Sequence, residues 1–214
     1  VGDGAVRFSP ASSWSPSSPV DLLDAPTWFA APSDVLPPES PSGVAHAVAA
    51  GKVAEAAILL GVADHAIGLA VEYAKLRMQF GKQIGQFQAI KHLLGEARTE
   101  LAFADALVLG AALAVDDDGP FAARDAAVAL LTAAETAELA SRTALQVHGA
   151  IGYTDELPIG RLLAASRHGP EAWGGRTAQA EIVEASLLVA DAHLGDGTAS
   201  PSPHPSLTAQ ERES

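Results

Sequence analysis

The sequence predicts an all-α protein, organised as an antiparallel four-helix bundle. Apolar residues make up 48% of the 214 residues, but aromatic residues only 5%, and alanine supplies much of the remainder. Alanine favours closely packed helices over β-structure. Apolar residues also recur three or four positions apart over stretches of about thirty residues, which is the period of a helix buried on one side. Long amphipathic helices joined by short turns form bundles.

The predicted helices follow one another between residues 44 and 195. The first runs from Val44 to about Arg77 and the second from about Phe87 to Val115, with the turn "FGKQIG" between them. The apolar stripe of the first consists of Val53, Ala56, Leu60, Ala63, Ile67 and Val71, and that of the second of Ile90, Leu94, Ala97, Leu101, Val108 and Ala111. The segment "DDDGP" is predicted to begin the third helix, because carboxylates and proline suit a first turn. That helix ends near Gln146; a short helix covers 158–167 and a last one 177–194.

Composition divides the chain into three regions. Residues 1–43 hold eight of the fourteen prolines and show no lasting period, so they are either an irregular arm or the remnant of a β-domain. Residues 44–195 form the helical domain. Residues 196–214, "DGTASPSPHPSLTAQERES", are predicted to be a disordered tail.

Charge and motif content exclude several classes of function. A formal net charge of −13 argues against a nucleic acid partner, because phosphate contacts need a basic face. The absence of cysteine rules out thiolate metal sites and fits a cytoplasmic protein. Neither a membrane span nor a secretory signal is visible. The histidines lack metal-ligand spacing, so no metal site is predicted, and no common nucleotide or hydrolase motif is present.

Two stretches combine side chains that suit a phosphate-containing ligand with a flat ring. "LRMQFGKQIGQFQ" places Arg77 at a helix end, followed by Phe80 and Gln88. Arginine offers a planar fork to phosphate oxygens, and an aromatic ring offers a stacking surface. "QVHGAIGYTDELP" ends a helix in small residues, so a ligand can approach the backbone. Each stretch also has a purely structural explanation as a helix end, a core residue or a turn, and that alternative stays open from the residues alone.

The two stretches together resemble the C-terminal helical domain of the acyl-CoA dehydrogenases. The segments that carry the resemblance are "YAKLRMQFGKQIGQFQAIKHLLGE" and, some fifty residues later, "ALQVHGAIGYTDELPIGRL". The resemblance covers about residues 44–195. It implies a flavoenzyme subunit with FAD as its cofactor. It also implies α,β-dehydrogenation of an acyl-CoA thioester, in which a glutamate removes the α-proton while hydride leaves the β-carbon.

The resemblance also implies which residues contact FAD. Arg77 and Gln88 match the family's FAD-contacting arginine and glutamine, and Phe80 lies near the adenosine end. The family's Q-x-x-G-G segment matches Gln146, Val147, His148, Gly149 and Ala150, with alanine in place of the second glycine. Family members use these surfaces across a subunit interface, where they hold the ADP half of FAD.

The catalytic base of the family has no match here. One family position, fifteen residues after the proline matched by Pro158, falls on Trp173, and the other, on the first helix, falls on Gly51, which Lys52 follows. Neither tryptophan nor glycine can accept a proton. Glu171 lies two residues before Trp173 and could serve as the base only if its loop shifts.

Three hypotheses follow. The first is a dehydrogenase subunit that lacks its own base and completes the FAD site of a related chain in a homo- or hetero-oligomer, with acyl-CoA bound through that partner. Some bacterial acyl-CoA dehydrogenases that shorten steroid side chains resemble this arrangement. The second is a truncated, non-catalytic helical oligomerisation module without flavin. The third is a dehydrogenase that uses Glu171 and needs the missing family domains from another chain.

Overall fold

A computed structural model describes the backbone of residues 14–22, 25–32 and 41–195 and the side chains of residues 43–188. The five α-helices within these ranges are α1 (Pro41–Leu76), α2 (Gln88–Asp116), α3 (Ala122–His148), α4 (Ile159–His168) and α5 (Gly175–Gly195). Apart from the start of α3, the ends of these helices lie within three residues of the bounds that the sequence predicts. The all-α class is therefore confirmed.

Alanine forms most of the core. Helix α1 packs chiefly against α3, α2 packs against both, and α4 and α5 pack against α3. The fully buried alanines at these contacts are Ala56, Ala63, Ala66 and Ala70 on α1, Ala97 and Ala104 on α2, and Ala129, Ala133, Ala137, Ala140 and Ala144 on α3. A methyl side chain leaves little between two helices, so their backbones approach closely, and few large side chains are needed to fill the core.

Short connections reverse the chain between successive long helices. The C-terminus of α1, the N-terminus of α2 and the C-terminus of α3 therefore lie at one end of the molecule, which we call the Tyr73 end. The α2–α3 turn lies at the other end, close to the start of α1, where Nδ1 of His46 and Oδ1 of Asp118 are 2.7 Å apart. The two matched segments of the sequence thus belong to the same end.

The α2–α3 turn corrects one prediction. Asp116 is the last residue of α2, and Asp118 adopts a left-handed conformation (φ 47°). The amides of Asp118 and Gly119 donate to the carbonyls of Val115 and Ala114, which satisfies the C-terminus of α2. The aspartates thus end α2 instead of beginning α3. Aspartate tolerates the left-handed conformation better than most residues, so Asp118 can end α2 although aspartate also suits the start of a helix.

Two strands lie in the region before the helices. Strand β1 (Trp14–Leu22) pairs antiparallel with β2 (Ala25–Pro32), with Leu22 opposite Ala25. The register shifts between Pro16 and Pro19, where proline has no N–H to give to a ladder. The boundaries at 43 and 195 remain predictions, and the predicted tail at 196–214 lies outside the described residues.

Helix α1 is long and apolar enough to cross a membrane by length and composition, with a mean hydropathy of 1.6 over its most apolar 18 residues. The same property is expected of a core helix. One side of α1 is buried against α3, with Leu59 and its alanines inaccessible to solvent. About a third of that 18-residue window is buried within the domain, so packing accounts for part of its apolar character.

Candidate cofactor-binding site and base position

A short hairpin after α1 displays an aromatic ring in solvent. Strands β3 (Met78–Gln79) and β4 (Lys82–Gln83) pair antiparallel across Phe80 and Gly81, whose φ angles are +52° and +78°. Two successive positive φ angles define a tight hairpin turn that favours asparagine and glycine. Phenylalanine in this conformation is strained, and its side chain is 91% exposed. Strain of this kind is concentrated at functional sites.

Contacts with the core and with Phe87 hold the hairpin in place. Ile84 is buried in the core, and its amide donates to the carbonyl of Arg77 (2.9 Å). The ring of Phe87 meets that of Phe80 edge to face at 6.1 Å between centroids, and the ammonium of Lys82 lies 4.3 Å from the Phe87 centroid. These contacts hold the loop in one conformation, which keeps the Phe80 ring outside the core.

Arg77 and Gln88 flank this hairpin. The amide of Arg77 donates to the carbonyl of Tyr73 (2.9 Å), which continues the last turn of α1. Its guanidinium is exposed and forms no ion pair with any described residue. Gln88 is the first residue of α2 and is also exposed. An unpaired arginine, an exposed ring and a helix N-terminus therefore lie close together along the chain.

The end of α3 presents small residues and backbone. Gly149 ends the helix with φ 65° and ψ −137°, and its amide donates to the carbonyl of Leu145. Gln146, Gly149 and Ala150 are exposed, whereas Val147 and His148 are buried. The structure thus divides the five matched residues: three can meet a ligand with side chain or backbone, and two support them from the core.

A stacked pair joins the two segments. The rings of Tyr73 and His148 lie 4.4 Å apart with an angle of 27° between their planes. Nδ1 of His148 donates to the carbonyl of Ala144 (2.7 Å), because a carbonyl can only accept, and this bond fixes the orientation of the ring. Tyr73 was missed by the sequence reasoning. The available signal was its position one helical turn before Arg77.

A shallow cleft of about 310 Å³ adjoins the end of α3. Its lining includes Leu145, Tyr153, Leu157, Arg161 and Leu163, contributed by α3, the loop that follows it, and α4. Gly152 is buried beside it, and a Cβ there would lie 3.0 Å from Cδ1 of Leu145. Its volume lies at the lower end of the range of small-molecule sites.

The two base-equivalent positions meet at the opposite end of α1. The indole of Trp173 lies on Gly51 so closely that a Cβ on residue 51 would overlap Cη2 and lie 3.0 Å from Cζ2. Gln179 is fully buried, and its amide nitrogen donates to the carbonyl of Trp173 (2.6 Å). Its role in holding this turn was also missed. The space at both positions is therefore filled by an aromatic ring with no proton acceptor.

Three charged residues belong to the same part of α1 and to the turn before α5. The carboxylate of Glu55 lies against Gly169, and burial raises the pKa of Glu55. Lys52 is 6% exposed, and burial lowers the pKa of its ammonium. The carboxylate of Glu171 lies beside Gly175, where a Cβ would be 3.2 Å from Oε2, and the side chain is exposed. Glu171 therefore lies on the outside of the turn that precedes α5.

The base-equivalent positions and the Tyr73 end lie far apart along α1. Twenty-five residues separate Gly51 from Leu76, which corresponds to about 38 Å of helix. This exceeds the length of an extended dinucleotide. Among the side chains of residues 43–188, no group of three histidines and carboxylates is arranged to hold a metal ion.

Comparison with known proteins gives the family. Residues 44–188 match the model of the acyl-CoA dehydrogenase C-terminal domain. The chain belongs to the acyl-CoA dehydrogenase family. It is 40% identical over 113 residues to the probable acyl-CoA dehydrogenase YngJ of Bacillus subtilis, covering 53% of this chain and 30% of that protein.

Solved acyl-CoA dehydrogenase structures share the fold. Butyryl-CoA dehydrogenase from Megasphaera elsdenii superposes with a TM-score of 0.74 at 28% identity, over 88% of this chain and 50% of that one. The ChsE4–ChsE5 complex from Mycobacterium tuberculosis contains a chain with a TM-score of 0.61 at 28% identity, over 66% of this chain and 38% of that one. This chain thus spans from about a third to half of the acyl-CoA dehydrogenases that it matches.

Members of this family are FAD-dependent flavoproteins, and the Tyr73 end suits the ADP half of FAD. It offers the free guanidinium of Arg77 for a phosphate, the exposed ring of Phe80 for adenine, and the backbone at Gly149 for a close approach. The residues fit part of the cofactor.

Proposed function

We propose that this chain is an acyl-CoA dehydrogenase-family subunit that takes part in α,β-dehydrogenation of an acyl-CoA thioester. It contributes contacts to the ADP half of FAD across a subunit interface. The observation that carries the proposal is the Tyr73–His148 stack, because it joins the Arg77 hairpin to the end of α3 at one end of the molecule.

Each proposed contact has a distinct task. The guanidinium of Arg77 binds the pyrophosphate with a bidentate fork. Phe80 covers the adenine, and Gln88 offers a donor and an acceptor to the ribose or base. Gln146, Gly149 and Ala150 bring side-chain amide and backbone N–H groups to the cofactor, with Val147 and His148 behind them. FAD bound there would supply the hydride acceptor of the reaction.

The proton acceptor comes from a partner in this proposal. Trp173 fills the base position against Gly51, and general-base catalysis requires a titratable group within hydrogen-bond reach. The acyl-CoA substrate is accordingly bound by the partner, a related acyl-CoA dehydrogenase chain. The ChsE4–ChsE5 complex is an assembly of two differently named chains and supports a heteromer. We place the reaction in the cytoplasm, which suits a chain without cysteine.

A helical oligomerisation module without flavin is the second candidate. The Trp173–Gly51 contact favours it as well, because a chain whose base position is filled by tryptophan need not take part in the reaction at all. The third possibility, catalysis by Glu171, requires the 169–173 turn to leave its packing on α1.

The test is flavin retention by the complex purified from the natural host. Arg77→Ala should allow assembly but weaken FAD binding by about ten- to 150-fold, since a charge-assisted hydrogen bond contributes about 1.5–3 kcal/mol. Arg77→Lys should recover only part of the loss, because an ammonium lacks the planar fork. Flavin absorbance per complex after gel filtration gives the result.

Arg124→Ala is the control, because Arg124 pairs with Asp125 on α3 and lies outside both matched segments. Full flavin occupancy in the Arg77→Ala complex would disprove the role of this arginine. A complex that contains no flavin in the unmodified form would favour the oligomerisation module.

A further inference from the structure

Three arginines converge on one carboxylate where α3, α4 and α5 meet. Oε1 of Glu138 accepts hydrogen bonds from Nη2 (2.7 Å) and Nε (3.1 Å) of Arg142 and from Nε of Arg167 (3.3 Å). Oε2 accepts one from Nη2 of Arg176 (2.7 Å). We call these four residues the arginine cluster. Its members come from three helices, so only the folded chain assembles it.

The arginine cluster carries surplus positive charge. Three guanidinium groups face one carboxylate, which leaves a local charge of +2. The hydrogen bond from Arg142, followed by the charges of Arg142 and Arg176, holds the pKa of Glu138 below its usual value, so the carboxylate is ionised at neutral pH. Glu135, the nearest other carboxylate along α3, lines a different cleft with Glu100. The surplus stands out in a chain with a formal charge of −13.

A structural role accounts for only part of this arrangement. Arg167 and Arg176 connect α4 and α5 to α3 through Glu138. Arg142 connects no second element, because it lies one turn after Glu138 on the same helix. A third cation adds repulsion between like charges, and a single arginine would already satisfy the carboxylate with two parallel hydrogen bonds.

Donors remain available on the outer side of the arginine cluster. The side chain of Glu138 is 18% exposed, whereas those of Arg142, Arg167 and Arg176 are 60%, 51% and 41% exposed. Each guanidinium has five N–H donors, and the bonds to Glu138 use one or two of them. Glu138 thus holds three planar forks in place with most of their donors unused.

We propose that the arginine cluster binds a phosphate group, either inorganic phosphate or a phosphate monoester. A phosphate monoester carries about −1.5 to −2 charges near pH 7, which matches the surplus of +2. Its oxygens match the planar forks of several arginines at once. The phosphate comes from one of two sources, free inorganic phosphate or the 3′-phosphate of coenzyme A. The site is separate from the Arg77 hairpin, so it does not depend on flavin binding.

The test uses the full 214-residue chain at constant ionic strength, with sodium chloride exchanged for sodium phosphate. The Nε–H signals of the three arginines are followed by NMR, and they should shift together and saturate. Arg142→Gln should weaken phosphate binding at least tenfold without unfolding the chain, since Arg142 links no second helix. Arg98→Gln is the matched control, because Arg98 is equally exposed and has one partner, Asp64 (2.6 Å); it should change nothing.

A second titration compares coenzyme A with coenzyme A that lacks its 3′-phosphate. Binding at least tenfold tighter for coenzyme A identifies its monoester as the source. Equal binding of the two, with inorganic phosphate still saturating, identifies free phosphate. Two results would overturn the proposal: NMR shifts that increase linearly with phosphate without saturation, or equal weakening of binding by Arg142→Gln and Arg98→Gln. The arginine cluster would then only connect the helices through ion pairs.

Discussion

The indole of Trp173 packs directly on the Cα of Gly51. These residues are 122 positions apart, and each occupies a position where a catalytic glutamate would be expected. Glycine at position 51 leaves the space that the indole of Trp173 fills, so a larger residue at 51 is incompatible with this packing. The contact forms a packed junction between α1 and the turn before α5.

This contact predicts strong coupling between the two residues. Gly51→Ala should lower the free energy of unfolding by about 1–3 kcal/mol, because its Cβ overlaps the indole. In Trp173→Ala the same change should be far less costly, and a double-mutant cycle in urea should give a coupling energy of at least about 1 kcal/mol. Gly61→Ala is the control on the same helix: its Cβ would meet nothing within 4 Å, so alanine should stabilise by about 1 kcal/mol. Additive effects would contradict the packing.

The isolated chain should not dehydrogenate acyl-CoA at a rate typical of the family. Trp173 cannot accept the α-proton, and Glu171 is exposed on the outside of the turn that precedes α5. The measurement is reduction of an artificial electron acceptor by the purified, FAD-supplemented chain. Turnover that disappears in Glu171→Gln but persists in Glu181→Gln, an exposed carboxylate in α5, would instead assign catalysis to Glu171.

Replacing the buried lysine should stabilise the protein. Lys52 is 6% exposed and forms no ion pair with a described residue, and burial lowers its pKa. A lowered pKa of an amine means that folding disfavours the charged form, so the penalty applies at neutral pH and lessens as the pH rises through the folded pKa. Lys52→Met should therefore raise the melting temperature at pH 7. Its melting temperature should also increase less between pH 7 and pH 10 than that of the unmodified protein. Lys91→Met, on the exposed side of α2, should do neither. A lower melting temperature for Lys52→Met would show that the ammonium is stabilised after all.

Replacing Phe80 by asparagine should stabilise the hairpin after α1 and remove a proposed contact with the cofactor. Phe80 has φ +52°, and asparagine followed by glycine is a preferred pair in such a turn. Phe80→Asn should raise the free energy of unfolding by about 1 kcal/mol, within the range for relief of a strained φ. The same change should weaken flavin retention in the complex. Phe103→Asn, an exposed ring in the regular helix α2, should show no gain in stability. Unchanged flavin retention in Phe80→Asn would remove this ring from the proposed site.

Acid should loosen the attachment of α4 and α5. The pKa of Glu138 is lowered in the fold, so its contribution to stability is present above the unfolded pKa, near 4.5, and is lost as the pH falls through the lower folded value. Between pH 5 and pH 3 the free energy of unfolding should fall by on the order of 1 kcal/mol more than in Glu138→Gln, as the arginines are largely exposed. Identical acid profiles for the two proteins would show that the arginine cluster adds no stability.

The sequence by itself predicted the helices and the two segments at which a ligand is proposed to bind. Apolar spacing in α1, α2 and α3 is a local property, because a helix must repeat its buried face every three or four residues whatever it packs against. The sequence assigned the aspartates before α3 to the start of that helix, because aspartate suits both a helix start and a helix end. The hydrogen bonds of Asp118 and Gly119 show that they end α2.

Only the tertiary structure decided which distant residues meet. Tyr73 and His148 are 75 positions apart and stack because α1 and α3 end together. Gly51 and Trp173 share one volume, and Glu138 gathers arginines from three helices. Contacts such as these depend on how side chains from separate elements fill the same space. The period of a single helix carries no information about that space, and so the sealed base position and the arginine cluster emerged only in the folded chain.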